Sequence, residues 1–275
     1  MNSLKRAIRY SLMPHELGYC GPDCNESKSK IILRDYLSGE NYPEEKIREL
    51  LDEFIGAVSY YKLIAEKNNI DDYYDEKVVE AYWLGNDLLE NVSVDDLKEM
   101  ILNDFVGAGR LSKDKAQEII GRLPEIAYAH HTFHVFFIGA VTNRVKLEGE
   151  NKDKCRPSWA KVIGEAEEPG KLNPAPFCRV LNQAGRIIFI LIHPHSKLQS
   201  ILGRCWIKVK ISKLFSDEET AEADVIWDKV FVPELKMGDI VSCHWGRISE
   251  KITRGQLDNL IKYTGINYKA LMGDN

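Results

Sequence analysis

Three of the seven histidines fall within five residues, at His130, His131 and His134. On a helix His130 and His134 stand one turn apart on a shared face; on a strand they share a face again and His131 points away. Either way two imidazoles converge, and neutral ring nitrogens at about 2.0–2.1 Å hold an ion such as zinc. The segment His130–His134 does not match the His-Glu-x-x-His pattern of zinc peptidases. The competing reading is structural: Phe133, Phe136 and Phe137 supply an aromatic core in which the three rings hydrogen-bond.

A second cluster is Pro14-His15-Glu16-Leu17-Gly18-Tyr19-Cys20-Gly21-Pro22. A thiol just ahead of a helix N-terminus is acidified by the helix dipole, which favours a thiolate nucleophile or ligand. Cys24 makes a Cys-x3-Cys pair with Cys20, a looser spacing than the usual zinc pair. Glu16 and Glu80 are carboxylates that could orient a ligating imidazole through its second nitrogen. Further along, Cys243 and His244 are adjacent in Gly238–Gly246, so on a strand they face opposite sides unless a bulge intervenes. His244 is an additional ligand candidate, and His193-Pro194-His195 ends an apolar run. The six cysteines lie in a long chain without a recognisable export signal, which favours reduced thiols or metal ligands over a disulfide framework.

These groups need elements to carry them. Residues 1–150 read as helices at 27–39, from Pro43 through Tyr61, at 75–91, at 94–105 behind Ser93, and from Ser112 to Pro124. The segment around the three histidines is readable as helix or strand. The polar stretch 148–154 marks a domain boundary, giving a mainly helical domain at 1–150 and a small β domain at 151–275. After it the apolar period becomes two, with strands expected at 159–166, 178–181, 187–192, 205–211, 225–232 and 240–245. Gln183-Ala184-Gly185 reads as a hairpin turn, and Thr253-x-x-Gln256 as the capping box of a last helix. The fold class is therefore α+β: an N-terminal helical domain, a small antiparallel sheet or barrel, and a C-terminal helix.

Composition sets wider bounds. The chain of 275 residues is 44% hydrophobic and 29% charged, which excludes disorder and low-complexity scaffolds. Its net charge of −5 is uneven: residues 1–150 carry 18 Lys and Arg against 27 Asp and Glu, whereas residues 151–275 carry 19 against 15. Arg179, Arg186, Arg204, Lys208 and Lys210, with Trp159 and Trp206 nearby, could offer a small basic surface, but the excess is slight. No nucleic-acid motif, Walker-A loop or dinucleotide glycine fingerprint accompanies it, so nucleic acid is not an expected partner. No apolar run approaches the roughly 20 residues of a membrane span, and the expected location is the cytoplasm.

Two resemblances add to this. Cys20-Gly21-Pro22, with the later His134-Val-Phe-Phe-Ile-Gly139, resembles pieces of papain-like cysteine peptidases, which implies Cys20 as nucleophile and His131 or His134 as base. Residues 14–22, 80–86, 130–136 and 242–246 together resemble an uncharacterised family of bacterial and archaeal proteins associated with nickel–iron hydrogenase gene neighbourhoods. That resemblance implies metal handling or metalloenzyme assembly. The leading expectation is a cytoplasmic accessory protein that binds a transition metal (nickel, zinc or iron) through His130, His131 and His134, with His15 and Cys20. Its partner would be a metalloenzyme or its maturation proteins. The alternatives are the cysteine hydrolase and a non-catalytic interaction module with structural histidines. The first two require residues 14–22 to meet residues 130–134 in one polar cavity.

Overall fold

Residues 3–16, outside the expected helices, form a helix, α1 (Ser3–Glu16), capped by the Asn2 side chain and burying Leu4, Ala7, Ile8 and Leu12 at helical spacing. The computed structural model describes residues 2–22, 27–167, 180–181, 187–188, 204–216 and 218–273. Helices α2 (Ser27–Ser38), α3 (Glu44–Asp52), α4 (Ile55–Lys67) and α5 (Glu76–Trp83) follow. The helix expected from Pro43 to Tyr61 is thus two, broken at Phe54. The one expected at 75–91 stops at Leu84 and is followed by a 3-10 turn (Asp87–Asn91). Gly85 explains that stop. Its φ is +85°, and a Cβ there would sit 2.3 Å from Tyr263 Cδ2. Gly85→Ala adds the left-handed backbone penalty to an overpacked ring, so a loss of about 2–4 kcal/mol is expected in a urea melt.

Helix α6 (Val94–Met100) starts behind Ser93 as expected, with a capping box between Ser93 and Asp96, and runs into a π-type turn (Ile101–Val106); α7 (Lys113–Ile120) is capped by Ser112. The histidine segment is helical: one turn, α8 (His131–Phe133), continues as a π-type turn (His134–Ile138). The polar stretch at 148–154 folds into a short helix, α9 (Glu150–Cys155).

The strands are β1 (Ser158–Glu167), β2 (Val180–Leu181), β3 (Ile187–Ile188), β4 (Arg204–Ser212), β5 (Thr220–Asp228), β6 (Ile240–His244) and β7 (Arg247–Lys251), followed by α10 (Arg254–Met272). The expected hairpin turn at 183–185, Cys24, Cys178 and His193–His195 lie outside the described residues. β2 and β3 pair with each other; the other five close a barrel in the order β1-β4-β5-β7-β6. The fold is α+β, with its sheet closed into a barrel. Four of the five seams are antiparallel and the fifth, β5 to β7, is parallel. β7 has no counterpart among the expected strands: its sequence, Arg-Ile-Ser-Glu-Lys, lacks apolar alternation because four of its five residues are buried. On the barrel's outer face Lys208 lies opposite Asp224 and Lys210 opposite Glu222, so the basic residues of β4 are matched across the ladder.

The main apolar core joins barrel and helices, and a second, smaller cluster gathers Val135, Phe136, Cys155 and Trp245. α1 lies against β7 and β6 through buried polar groups. Arg6 Nε donates to Glu250 at 3.1 and 3.2 Å, and Tyr10 Oη contacts Ser242 Oγ and donates to Glu250. No helix of the described residues is long and apolar enough to cross a membrane.

Candidate metal site

Four chain segments meet at one cavity beside α1. The first is the turn after α1, tied down by Thr142 Oγ1, which donates to the Tyr19 carbonyl at 2.6 Å. Gly21 in this turn has φ +86°, and a Cβ there would lie 2.4 Å from Phe54 Cε1. The second is α8 and the π-type turn after it. The third is the end of α9, where Arg156, wholly buried, donates from Nε to Asp153 at 2.9 Å and from Nη2 to the Ser212 carbonyl at 2.9 Å. Asp153 also accepts from the Leu214 and Phe215 amides. The fourth is the β6–β7 turn, where Trp245 (φ +52°) and Gly246 (φ +72°) both take left-handed backbone, as a tight type I′-like hairpin requires. The Trp245 amide donates to the Lys154 carbonyl at 2.6 Å, which brings the end of β6 to the end of α9.

The result is a cavity of about 50 Å³ whose lining includes Cys20, Phe54, Trp83, His131, His134, Cys155 and His244. Within it, ligand atoms of His131, Cys155 and His244 all lie within 4.8 Å of one another, and all three residues are buried. Donors held by one ion at about 2.0–2.3 Å each stand at most about 4.6 Å apart, so the triad closes on an ion with small side-chain adjustments.

The tautomers of both rings follow from their partners. His244 Nδ1 lies 2.7 Å from the Tyr10 carbonyl, which only accepts, so Nδ1 carries the proton. His244 Nε2 is left with a lone pair, is buried, and has no hydrogen-bond partner. His131 Nδ1 lies 2.7 Å from Tyr82 Oη. Tyr82 has one proton, and His131 Nδ1 and the Gly56 carbonyl are both within its reach. His131 Nε2 lies 3.1 Å from the Cys155 carbonyl, which only accepts, so Nε2 carries the proton, with Cys155 Sγ at 3.8 Å. To ligate an ion through Nε2 the ring would shift that proton to Nδ1, facing the Tyr82 oxygen. A second proton on the ring is disfavoured: burial, and then the neighbouring imidazoles of His244, His134 and His130, hold His131 well below the usual histidine range. Burial also lowers His134 and His244 to about 4 and raises the Cys155 thiol well above its usual range, the nearby Cys20 adding to the latter. The rings are thus neutral, as metal ligation requires, and stand beside one thiol. His244 commits its second nitrogen as ligating histidines characteristically do, to a carbonyl or another fixed acceptor.

The remaining sequence candidates divide. Cys20 and His134 line the same cavity, so the opening turn and the histidine segment do meet. His134 Nδ1 is buried without a partner, and the ring packs on the backbone of Gly56, where a Cβ would lie 3.0 Å from its Cε1. Neither residue belongs to the group within 4.8 Å. His130 is committed elsewhere: it caps α8, its Nδ1 2.8 Å from Thr132 Oγ1, and its Nε2 donates to the Trp83 carbonyl at 3.2 Å. His15 spans the Cys20 carbonyl and Ser29 Oγ, so it braces the turn that carries Cys20. The two carboxylates pair with cations instead of imidazoles. Glu16 accepts from Arg34, Arg204 and Arg247, and Glu80 from Gln256 with Arg6 at 3.2 Å. The orienting groups are Tyr82 and the Tyr10 carbonyl. Cys155 carries no sequence signal, since it is a lone cysteine closing a charged stretch.

Residues 4–182, well over half of the chain, match the model of a family described as a family of unknown function, DUF6390. The chain belongs to that family. No curated protein and no solved structure matches it. The segment shared with the DUF6390 family contains His131 and Cys155, and His244 lies beyond it.

Proposed function

We propose that this DUF6390 member binds one transition-metal ion through His131, Cys155 and His244. The observation that carries the reading is the buried cluster in which ligand atoms of two neutral imidazoles and one thiol lie within 4.8 Å of one another, His244 with its Nδ1 proton committed to the Tyr10 carbonyl and its Nε2 lone pair free. Mixed imidazole and thiolate donors suit zinc, nickel, copper and, with further ligands, iron. An accessory role towards a metalloenzyme or its maturation proteins, a nickel–iron hydrogenase among them, extends the proposal to a partner. The half-buried Cys20, lining the cavity from a turn, supports passage of an ion between the triad and such a partner. A cysteine-hydrolase reading would take Cys20 with His131 or His134 as its base, all three of which line the cavity.

Protein purified under reducing conditions without a histidine tag should contain, or take up, close to one metal ion per chain, measured by elemental analysis after desalting. A content near zero that copper, zinc, nickel and iron all fail to restore overturns the reading.

A further inference from the structure

The identity of the ion follows from charge and donor number. His131 and His244 offer neutral nitrogens, and Cys155 is the one donor of the triad that becomes an anion. A divalent ion in this set keeps a positive charge; a monovalent ion keeps none. The surroundings do little to balance a residual charge. Phe54, Ala57, Val141 and Leu147 form much of the wall. The charged side chains of the lining, Glu53 and Arg110, are opposite in sign and both exposed. Behind Cys155, Arg156 is already matched by Asp153 at 2.8 Å. An uncompensated charge taken out of water into such a site is strongly penalised.

Donor number points the same way. Zinc held by three protein donors takes a water as its fourth ligand, nickel(II) takes four donors in a square, and iron(II) takes more, so each would draw further ligands into this largely apolar cavity. Only three donors gather within 4.8 Å among the described residues. Copper(I) accepts thiolate and imidazole together and is at ease with three donors.

Building on the metal-binding reading above, we propose that the ion is copper(I), held three-coordinate by His131, Cys155 and His244 with no net charge. On binding, a copper–sulfur bond forms as the Cys155 S–H proton passes to solvent, and the copper keeps its oxidation state.

The test uses the full chain, reduced, untagged and kept anaerobic, loaded with one equivalent of copper(I) supplied as its acetonitrile complex. X-ray absorption at the copper edge should report three donors, one sulfur and two nitrogens. A tenfold excess of zinc(II) or nickel(II) should leave the copper in place after desalting. Copper bound by two or more sulfurs, or copper displaced by zinc or nickel, overturns the choice of ion while the metal-binding reading stands. His244→Asn serves as the control, because its amide can still donate to the Tyr10 carbonyl and a matching melting curve shows that it folds. If wild type retains no more of any of these metals than His244→Asn does, both readings fall together.

Discussion

Cys155→Ser loses metal affinity by at least about a hundredfold while keeping the fold, as read by competition with a chromophoric chelator and by an unchanged melting curve. The magnitude is a lower bound, because removing only an outer hydrogen-bond partner of a ligand already costs about 10–100-fold. Serine has nearly the shape of cysteine but offers a hard, protonated oxygen in place of a soft thiolate. Its hydroxyl fits a cavity whose walls are held independently by the Arg156–Asp153 pair and the Trp245–Lys154 hydrogen bond. The pH dependence separates the ligand from a bystander. Burial keeps His244 near 4 and His131 well below its usual range, so above about pH 5 neither imidazole has a proton to lose. The Cys155 thiol is raised and stays protonated through neutrality, so each ion bound releases one proton. Wild-type affinity should therefore rise about tenfold per pH unit between pH 6 and 8. In Cys155→Ser that slope flattens. Equal affinities and equal slopes for the two proteins would remove Cys155 from the ligand set.

Why half of the candidate site was legible in the sequence is a matter of range. His131 and His134 were visible because they are neighbours in the chain, and a helix or a strand would have aligned at least two rings of that segment. Cys20 was visible because glycine and proline around it announce a turn. His244 stood out less, since on a strand its adjacency to Cys243 sends one of them away from any shared pocket. Here Cys243 is buried in the barrel core and His244 turns to the cavity. Cys155 could not be read at all: it reaches the site because α9 folds where the charge pattern reads as a linker, and because a backbone bond from Trp245 pulls its end to β6. The same limit governs His130 and His15. Spacing cannot distinguish a ring that caps a helix or braces a turn from one that presents a lone pair, because the difference lies in partners contributed by Trp83 and Ser29. For the fold, alternation found the long strands and capping boxes found the helix starts. The strand β7 escaped because its burial is polar: Arg247, Ser249 and Glu250 are buried and carry no apolar period.

That polar burial leads to the largest stability effect expected outside the cavity. Glu250 is 2 % exposed and takes two hydrogen bonds from Arg6 and one from Tyr10, all from α1. Arg6→Met fills the guanidinium's space with an apolar chain and leaves a buried carboxylate without its hydrogen-bonded counter-ion, Arg9 being the other cation that acts on it. Breaking a buried pair from one side costs about 3–5 kcal/mol, far more than the pair is worth against well-packed apolar replacements. The double variant Arg6→Met, Glu250→Met should therefore recover most of the loss. The pH course gives a second check. Burial already raises the Glu250 carboxyl, and Arg6 is the strongest influence opposing that rise. A carboxyl raised in the folded state takes up protons on folding, so its contribution to stability falls as pH rises through the folded value. Without Arg6 the carboxyl rises further, and the deficit of Arg6→Met should widen from pH 5 to pH 7 in urea melts. A deficit that stays constant over that interval, or a double variant no better than the single one, would mean that α1 is held to the barrel by packing around Tyr10 and not by this pair. The site has a stake in the answer. α1 is also the helix whose Tyr10 carbonyl fixes the His244 tautomer, so loosening it should weaken metal binding in Arg6→Met and restore it in the double variant.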